Sequence, residues 1–231
     1  MKIKLLTLVM AFFSCTFATA QSTNVQRFSL TSAEGLELIN VIATPVKYNG
    51  KKGLRISKTR KPENQENLET MIILPNTNFK NGTIEMELTG VPGPDANPTD
   101  RGFVGMAFRV ARTEPLTYDC FYVRPTNARA EDQLQRNHTT QYIAHPDYTW
   151  NRLRQENPGQ YESYTDFVPG EWTKIKIEVS GSKAKFYVRN MKQPCLIVND
   201  LKNETSEGSV ALWMYWSTIA HVRNLVITNK D

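Results

Sequence analysis

Cysteine and histidine are both scarce in this chain, three of each among 231 residues. So few cysteines exclude a disulfide-stapled scaffold, and no Cys-x-x-Cys pair offers a structural zinc site. His138 and His145 stand seven residues apart with no clear third partner, and no His-Glu-x-x-His element exists, so no metal site is expected. A Gly-x-Ser-x-Gly elbow is missing, which removes the usual setting of a serine nucleophile. The Asn-Gly turns do not imitate a phosphate-binding loop, and no cofactor is expected. Charge of one sign is not in excess either. The formal net charge is +5, and the basic residues are spread along the chain, so no nucleic-acid partner is implied.

What the chain does have begins at its N-terminus. Lys2 and Lys4 precede an apolar run from Leu5 to Phe17, and Ala18-Thr19-Ala20 supplies the small-x-small pattern of a signal-peptidase site. Residues 1–20 read as a cleaved signal peptide, with Gln21 the first mature residue and a periplasmic or extracellular destination. The run is shorter than the roughly 20 residues a bilayer span needs, and no later segment is long enough. A lipoprotein reading with Cys15 as the lipidated residue fits less well, because Phe12 and Phe13 spoil the lipobox. Cys120 and Cys195 then remain in an oxidising compartment, and are expected to be unpaired thiols.

Residues 21–231 read as one all-β domain, a two-sheet jelly-roll sandwich. Thr83 to Leu88 alternates with Ile84, Met86 and Leu88 on one face. Trp172 to Val179 places Ile175, Ile177 and Val179 inward against Lys174, Lys176 and Glu178 outward. Lys183 to Val188 and Ser209 to Trp216 follow the same pattern. Asn49-Gly50, Asn81-Gly82, Pro169-Gly170 and Ser180-Gly181 mark turns, and no convincing amphipathic helix is seen. Trp172 is expected in the core. Two longer irregular segments stand out, Val91 to Arg101 and Arg124 to Gln160. In the first, Asp95, Asn97 and Asp100 match no calcium-loop spacing, and a proline-stiffened hairpin loop is the better reading.

Gly82 to Glu87, Phe103 to Arg109, Pro169 to Lys176 and Ala220 to Ile227 together resemble concanavalin A-like jelly rolls of bacterial polysaccharide-degrading systems. Tyr118-Asp119-Cys120-Phe121-Tyr122-Val123-Arg124-Pro125 and Arg136 to His145 carry a narrower resemblance. It is to the small secreted jelly-roll enzymes of ulvan and related uronate-polysaccharide pathways, among them an oligosaccharide dehydratase. Jelly-roll lyases place Arg, a Gln-x-His element and Tyr in the groove; here the spacing is Gln141-Tyr142-Ile143-Ala144-His145, so that short motif is not reproduced. What the resemblance implies is the scaffold and a carbohydrate substrate, without a residue-by-residue role.

The residues themselves narrow the chemistry. A glycosidase ordinarily needs two carboxyl groups flanking the bond, and the Glu-x-Asp-x-x-Glu strand of jelly-roll glucanases is absent. Glu85 and Glu87 share a strand face but read as surface charges, and Asp132, Glu162 and Asp166 carry no pairing signal. β-Elimination on a uronic acid needs a cation against the carboxylate, a base for the adjacent proton and an acid for the departing oxygen. Arg124, His138 and Tyr142 are the candidate catalytic set, with Arg136, Gln141, His145, Trp150, Arg154, Tyr122 and Trp213 as substrate-binding candidates. If Phe121 and Val123 face the core, Tyr122 and Arg124 line the open face. For the strand at 138–145, which face is core stays open. The leading expectation is a carbon–oxygen lyase, dehydratase or polysaccharide lyase, acting on an anionic oligosaccharide. A non-catalytic carbohydrate-binding module and a hydrolase of the keto-disaccharide type are the alternatives, and the oligomeric state is not specified.

Overall fold

The computed structural model describes residues 23–59, 69–203 and 207–230, so the expected signal peptide and cleavage site lie outside the described residues. Among the described residues, alternating apolar residues build fifteen strands. The first five are β1 (Thr23–Phe28), β2 (Glu37–Ile39), β3 (Val41–Tyr48), β4 (Lys51–Lys58) and β5 (Met71–Ile73). Then come β6 (Gly82–Pro92), β7 (Val104–Ala111), β8 (Thr117–Val123), β9 (Thr140–His145) and β10 (Glu162–Ser163). The last are β11 (Thr173–Ser180), β12 (Lys183–Val188), β13 (Leu196–Val198), β14 (Ser209–Met214) and β15 (Thr218–Lys230).

They form two antiparallel sheets. The eight-stranded sheet runs β13-β12-β11-β6-β15-β4-β3, with β1 added to β15. The seven-stranded sheet runs β10-β9-β8-β7-β14-β5-β2. Their facing sides share one core, in which Phe121 of one sheet meets Phe186 of the other at 5.4 Å between ring centroids. Ile84, Met86, Leu88, Ile175, Ile177 and Val179 are all buried, as their alternation predicts. Asn49 and Gly50 both take positive φ in the two-residue β3–β4 hairpin, the backbone that a primed turn demands.

Two expectations are corrected. Short helices do form in the long irregular segment: a 3-10 turn at Pro125–Arg129, α1 (Gln133–Asn137) and α2 (Trp150–Glu156). The side chains of Asp132 and Thr149 cap α1 and α2, a local signal that no apolar periodicity accompanies. Trp172 is not between the sheets. It lies on the outer face of the eight-stranded sheet over Gly53, donating its indole N–H to the Tyr48 carbonyl at 3.0 Å. Among the described residues Cys120 and Cys195 are free, no cluster of three metal-binding side chains occurs, and no helix is long and apolar enough to cross a membrane. In the Val91–Arg101 segment, Asp100 accepts from the Asn97 backbone at 2.7 Å and Asp95 lies 3.5 Å from Lys58, a self-bonded loop.

Candidate functional site

The outer face of the seven-stranded sheet carries a groove of about 370 Å³. Register places its floor. Across β8 and β9, Tyr118 is opposite His145, Cys120 opposite Ile143, and Tyr122 opposite Gln141. Opposed residues share a face, so the alternate set, Asp119, Phe121, Tyr142 and Ala144, points into the core. Gly105 on β7 sits between Tyr122 and Trp213 of β14. A Cβ there would lie 2.1 Å from the Phe121 carbonyl oxygen. Glycine therefore lets the two rings close to 4.8 Å across the strand between them. Phe103, Tyr118, Tyr148, Trp150, Tyr215 and Trp216 complete an aromatic lining.

One polar cluster interrupts that lining. His145 Nδ1 lies 2.6 Å from the Leu116 carbonyl oxygen, which can only accept, so Nδ1 carries the proton. Nε2 then faces Glu69 Oε1 at 3.1 Å. Tyr118 donates its hydroxyl to Glu69 Oε2 at 2.7 Å and stacks its ring on His145 at 5.0 Å. Burial, followed by the Glu69 charge, holds the Tyr118 hydroxyl well above its ordinary range, so it stays a protonated donor. Glu69 is the one carboxylate among the described residues that line the groove.

The arginines lie elsewhere. Arg124 is 5% exposed. It donates to the His138 carbonyl, the Tyr122 hydroxyl and Gln141 Oε1 at 3.2, 3.1 and 3.2 Å. Its guanidinium sits among Phe103, Tyr122 and Trp150, 5.4–5.7 Å from each ring. Gln141 is buried, and gives its amide to the Tyr142 and Tyr161 carbonyls. Behind Trp150, Arg154 grips the buried carboxylate of Glu162 with two nitrogens, the closest approach being 2.6 Å. Arg124 Nη1 is 3.7 Å and His138 Nδ1 2.7 Å from the same carboxylate. Burial first, then the charges of Arg154 and Arg124, outweigh Glu162 and keep the His138 pKa below its usual value. Arg154, His138 and Glu162 border a second pocket of about 620 Å³, lined also by Leu134, Asn137, Pro158, Ser163 and Tyr164. Arg136 is outside both, bonded to the Tyr164 hydroxyl at 3.0 Å.

The sequence candidates therefore divide. Tyr122, His145, Trp150 and Trp213 line the groove together. His138 and Arg154 line the second pocket. Arg124 and Gln141 form a buried support beneath Trp150 and Tyr122, and Arg136 braces Tyr164. Tyr142 is corrected outright: it is fully buried, donating to Asp119 Oδ1 at 2.6 Å and accepting from the Lys202 backbone at 2.8 Å. The trio of Arg124, His138 and Tyr142 thus does not meet in one groove. Sequence reasoning missed Tyr118, although its two-residue offset from Cys120 and Tyr122 puts it on the same face. It also missed Glu69, which comes from a distant part of the chain with no local signal.

No protein-family model and no curated protein matches the chain. Solved structures do. A carbohydrate-binding module, CBM66 from Bacillus subtilis, superposes with a TM-score of 0.51 at 14% identity, covering 82% of this chain and 96% of that one. A Bacillus subtilis protein of unknown function with a galectin-like fold gives 0.55 at 12% identity, covering 91% and 98%. An endo-β-1,4-glucuronan lyase from the fungus Trichoderma reesei gives 0.51 at 8% identity, covering 88% and 94%. The chain has a concanavalin A-like jelly-roll fold. At these identities the likeness is one of fold, and function must be argued from the site.

Proposed function

We propose that the protein binds a carbohydrate chain in the groove of its seven-stranded sheet. The observation that carries this reading is the aromatic lining of Phe103, Tyr118, Tyr122, Tyr148, Trp150 and Trp213 around a polar cluster. Aromatic faces take the apolar C–H faces of sugar rings, and a few polar groups fix orientation. The pocket's size suits a ligand of a few rings. Export through the N-terminal signal belongs to the same proposal, and predicts Gln21 as the first residue of the secreted protein by N-terminal sequencing.

Carbon–oxygen lyase activity on uronate oligosaccharides is the second reading, favoured by the Tyr118–Glu69–His145 cluster. There Glu69, held between Tyr118 and His145, would take the proton beside the uronate carboxylate, the carbon–oxygen bond would break, and the Tyr118 hydroxyl would give its proton to the departing oxygen. The enolate-like charge needs a cation close by. Arg124 is buried with both Nη atoms engaged, which is why binding ranks above elimination. Incubation with neutral and uronate oligosaccharides separates the readings. Saturable binding with recovered, unaltered ligand supports the first. Ultraviolet absorbance from an unsaturated uronate supports the second, and hydrolytic products without it would instead support a glycosidase and contradict elimination and binding alone.

A further inference from the structure

Among the described residues the groove has no guanidinium on its lining, whereas the second pocket, behind Trp150, gathers positive charge around a single carboxylate. The geometry points to this second pocket as a separate subsite that takes an acidic substituent, carboxylate or sulfate ester, on a sugar continuing out of the groove. The inference rests on the groove reading above, since it assumes that a sugar chain arrives across Trp150.

Three observations carry it. The first is charge. Arg124 and Arg154 both approach Glu162, one carboxylate against two permanent cations, and the cluster keeps a surplus positive charge in a partly desolvated place. Such a site favours an anion that brings its own charge to the pair. The second is unused donor capacity. Arg154 spends Nε and Nη2 on Glu162, and its Nη1 makes no hydrogen bond among the described residues, although the side chain is 30% exposed at the pocket wall. A guanidinium edge of this kind is suited to a carboxylate or sulfate oxygen. With its Nδ1 turned to Glu162, neutral His138 keeps Nε2 as an acceptor for a sugar hydroxyl.

The third is continuity. Trp150 lines the groove, is 44% exposed, and has the Arg154 guanidinium 5.0 Å from its ring centre. A chain lying on Trp150 reaches Arg154 on the other side. Glu162 is paired with Gln141, at the opposite end of β9 from His145, and four residues of strand span roughly 13 Å. That exceeds one sugar ring, so the acidic group is recognised on a different ring from the one beside Glu69 and His145. Leu134, Pro158 and Tyr164 add apolar surface beside the polar Asn137 and Ser163, and the pocket's volume of about 620 Å³ accommodates a ring.

The test is calorimetric titration of the full mature protein with three β-1,4-linked glucose hexasaccharides at fixed low salt. One is unmodified, one is oxidised to carboxylates at C6, and one is sulfated at C6. We expect one or both acidic ligands to bind at least tenfold tighter than the neutral one, and the stronger of the two identifies the acidic group. Arg154→Gln should erase that preference. Ser163→Asp, which keeps the Arg154–Glu162 pair intact, should erase it by repulsion and guards against a folding defect in the first variant. Equal affinity for all three ligands, or a preference untouched by both variants, would overturn the subsite while leaving the groove reading standing. Failure of all three to bind would overturn the groove reading and the subsite with it.

Discussion

At the scale of single residues, Tyr142 and Tyr118 show how one strand position decides between scaffold and site. Tyr142 points to the core, where its hydroxyl joins Asp119 and the Lys202 backbone. Burial pushes the Asp119 carboxyl up to about 6, against the Tyr142 hydrogen bond and the charge of Arg109, which both act the other way. Tyr142→Phe removes one bond from each of two buried partners. It should cost about 1–3 kcal/mol in urea unfolding while leaving sugar affinity unchanged. Had Tyr142 been an acid or base in the groove, the same variant would lose function with stability preserved. The sequence could not make this choice. Thr140, Tyr142 and Ala144 form one face of β9 and Gln141, Ile143 and His145 the other, and each face mixes polar with apolar residues.

At the scale of elements, strands were legible wherever one face was wholly apolar, as along β6 and β11, because burial on one side leaves a two-residue period. Trp172 was misplaced because its ring covers a glycine on the outer face, where a large aromatic has no need of the core. That outer face holds a second aromatic group with its own pH response. His221 of β15 stacks on Tyr48 at 3.8 Å. Burial, then the neighbouring Arg55, lowers its pKa to about 4. A histidine with a depressed folded pKa is protonated first in the unfolded chain as pH falls. Its stabilising share is therefore present above about 6.5 and lost progressively toward pH 4. Asp119 slopes the other way, because its raised folded pKa makes stability fall as pH rises from 3.8 to about 6. His221→Phe keeps the stack and removes the first contribution. Its denaturation midpoint should fall less than that of the parent protein between pH 6.5 and pH 4.5, and an equal fall in both would contradict the assignment.

At the scale of the whole molecule, the jelly roll separates two kinds of recognition that sequence proximity had merged. The segment from Tyr118 to Tyr164 holds most of the candidate residues. Folding sends most of them to the groove, the pocket behind Trp150 and the support between them, with Tyr142 turned into the core and Arg136 on Tyr164. Segment composition pointed to an acidic sugar, but the groove proper is aromatic and its cations lie to one side. The missing partner, Glu69, arrives from across the sheet and changes the polar centre of the groove from Arg124 to His145.

The most direct test of the groove is a fluorescence titration of the mature protein with neutral β-linked oligosaccharides, comparing the parent with Trp213→Ala. Trp150, Trp213 and Trp216 all line the groove, so occupancy should change their emission. Saturable binding is predicted, weakened about tenfold or more by the substitution, which corresponds to at least ~1.4 kcal/mol of lost contact. Binding that survives Trp213→Ala at full affinity, with the variant folded, would contradict the account.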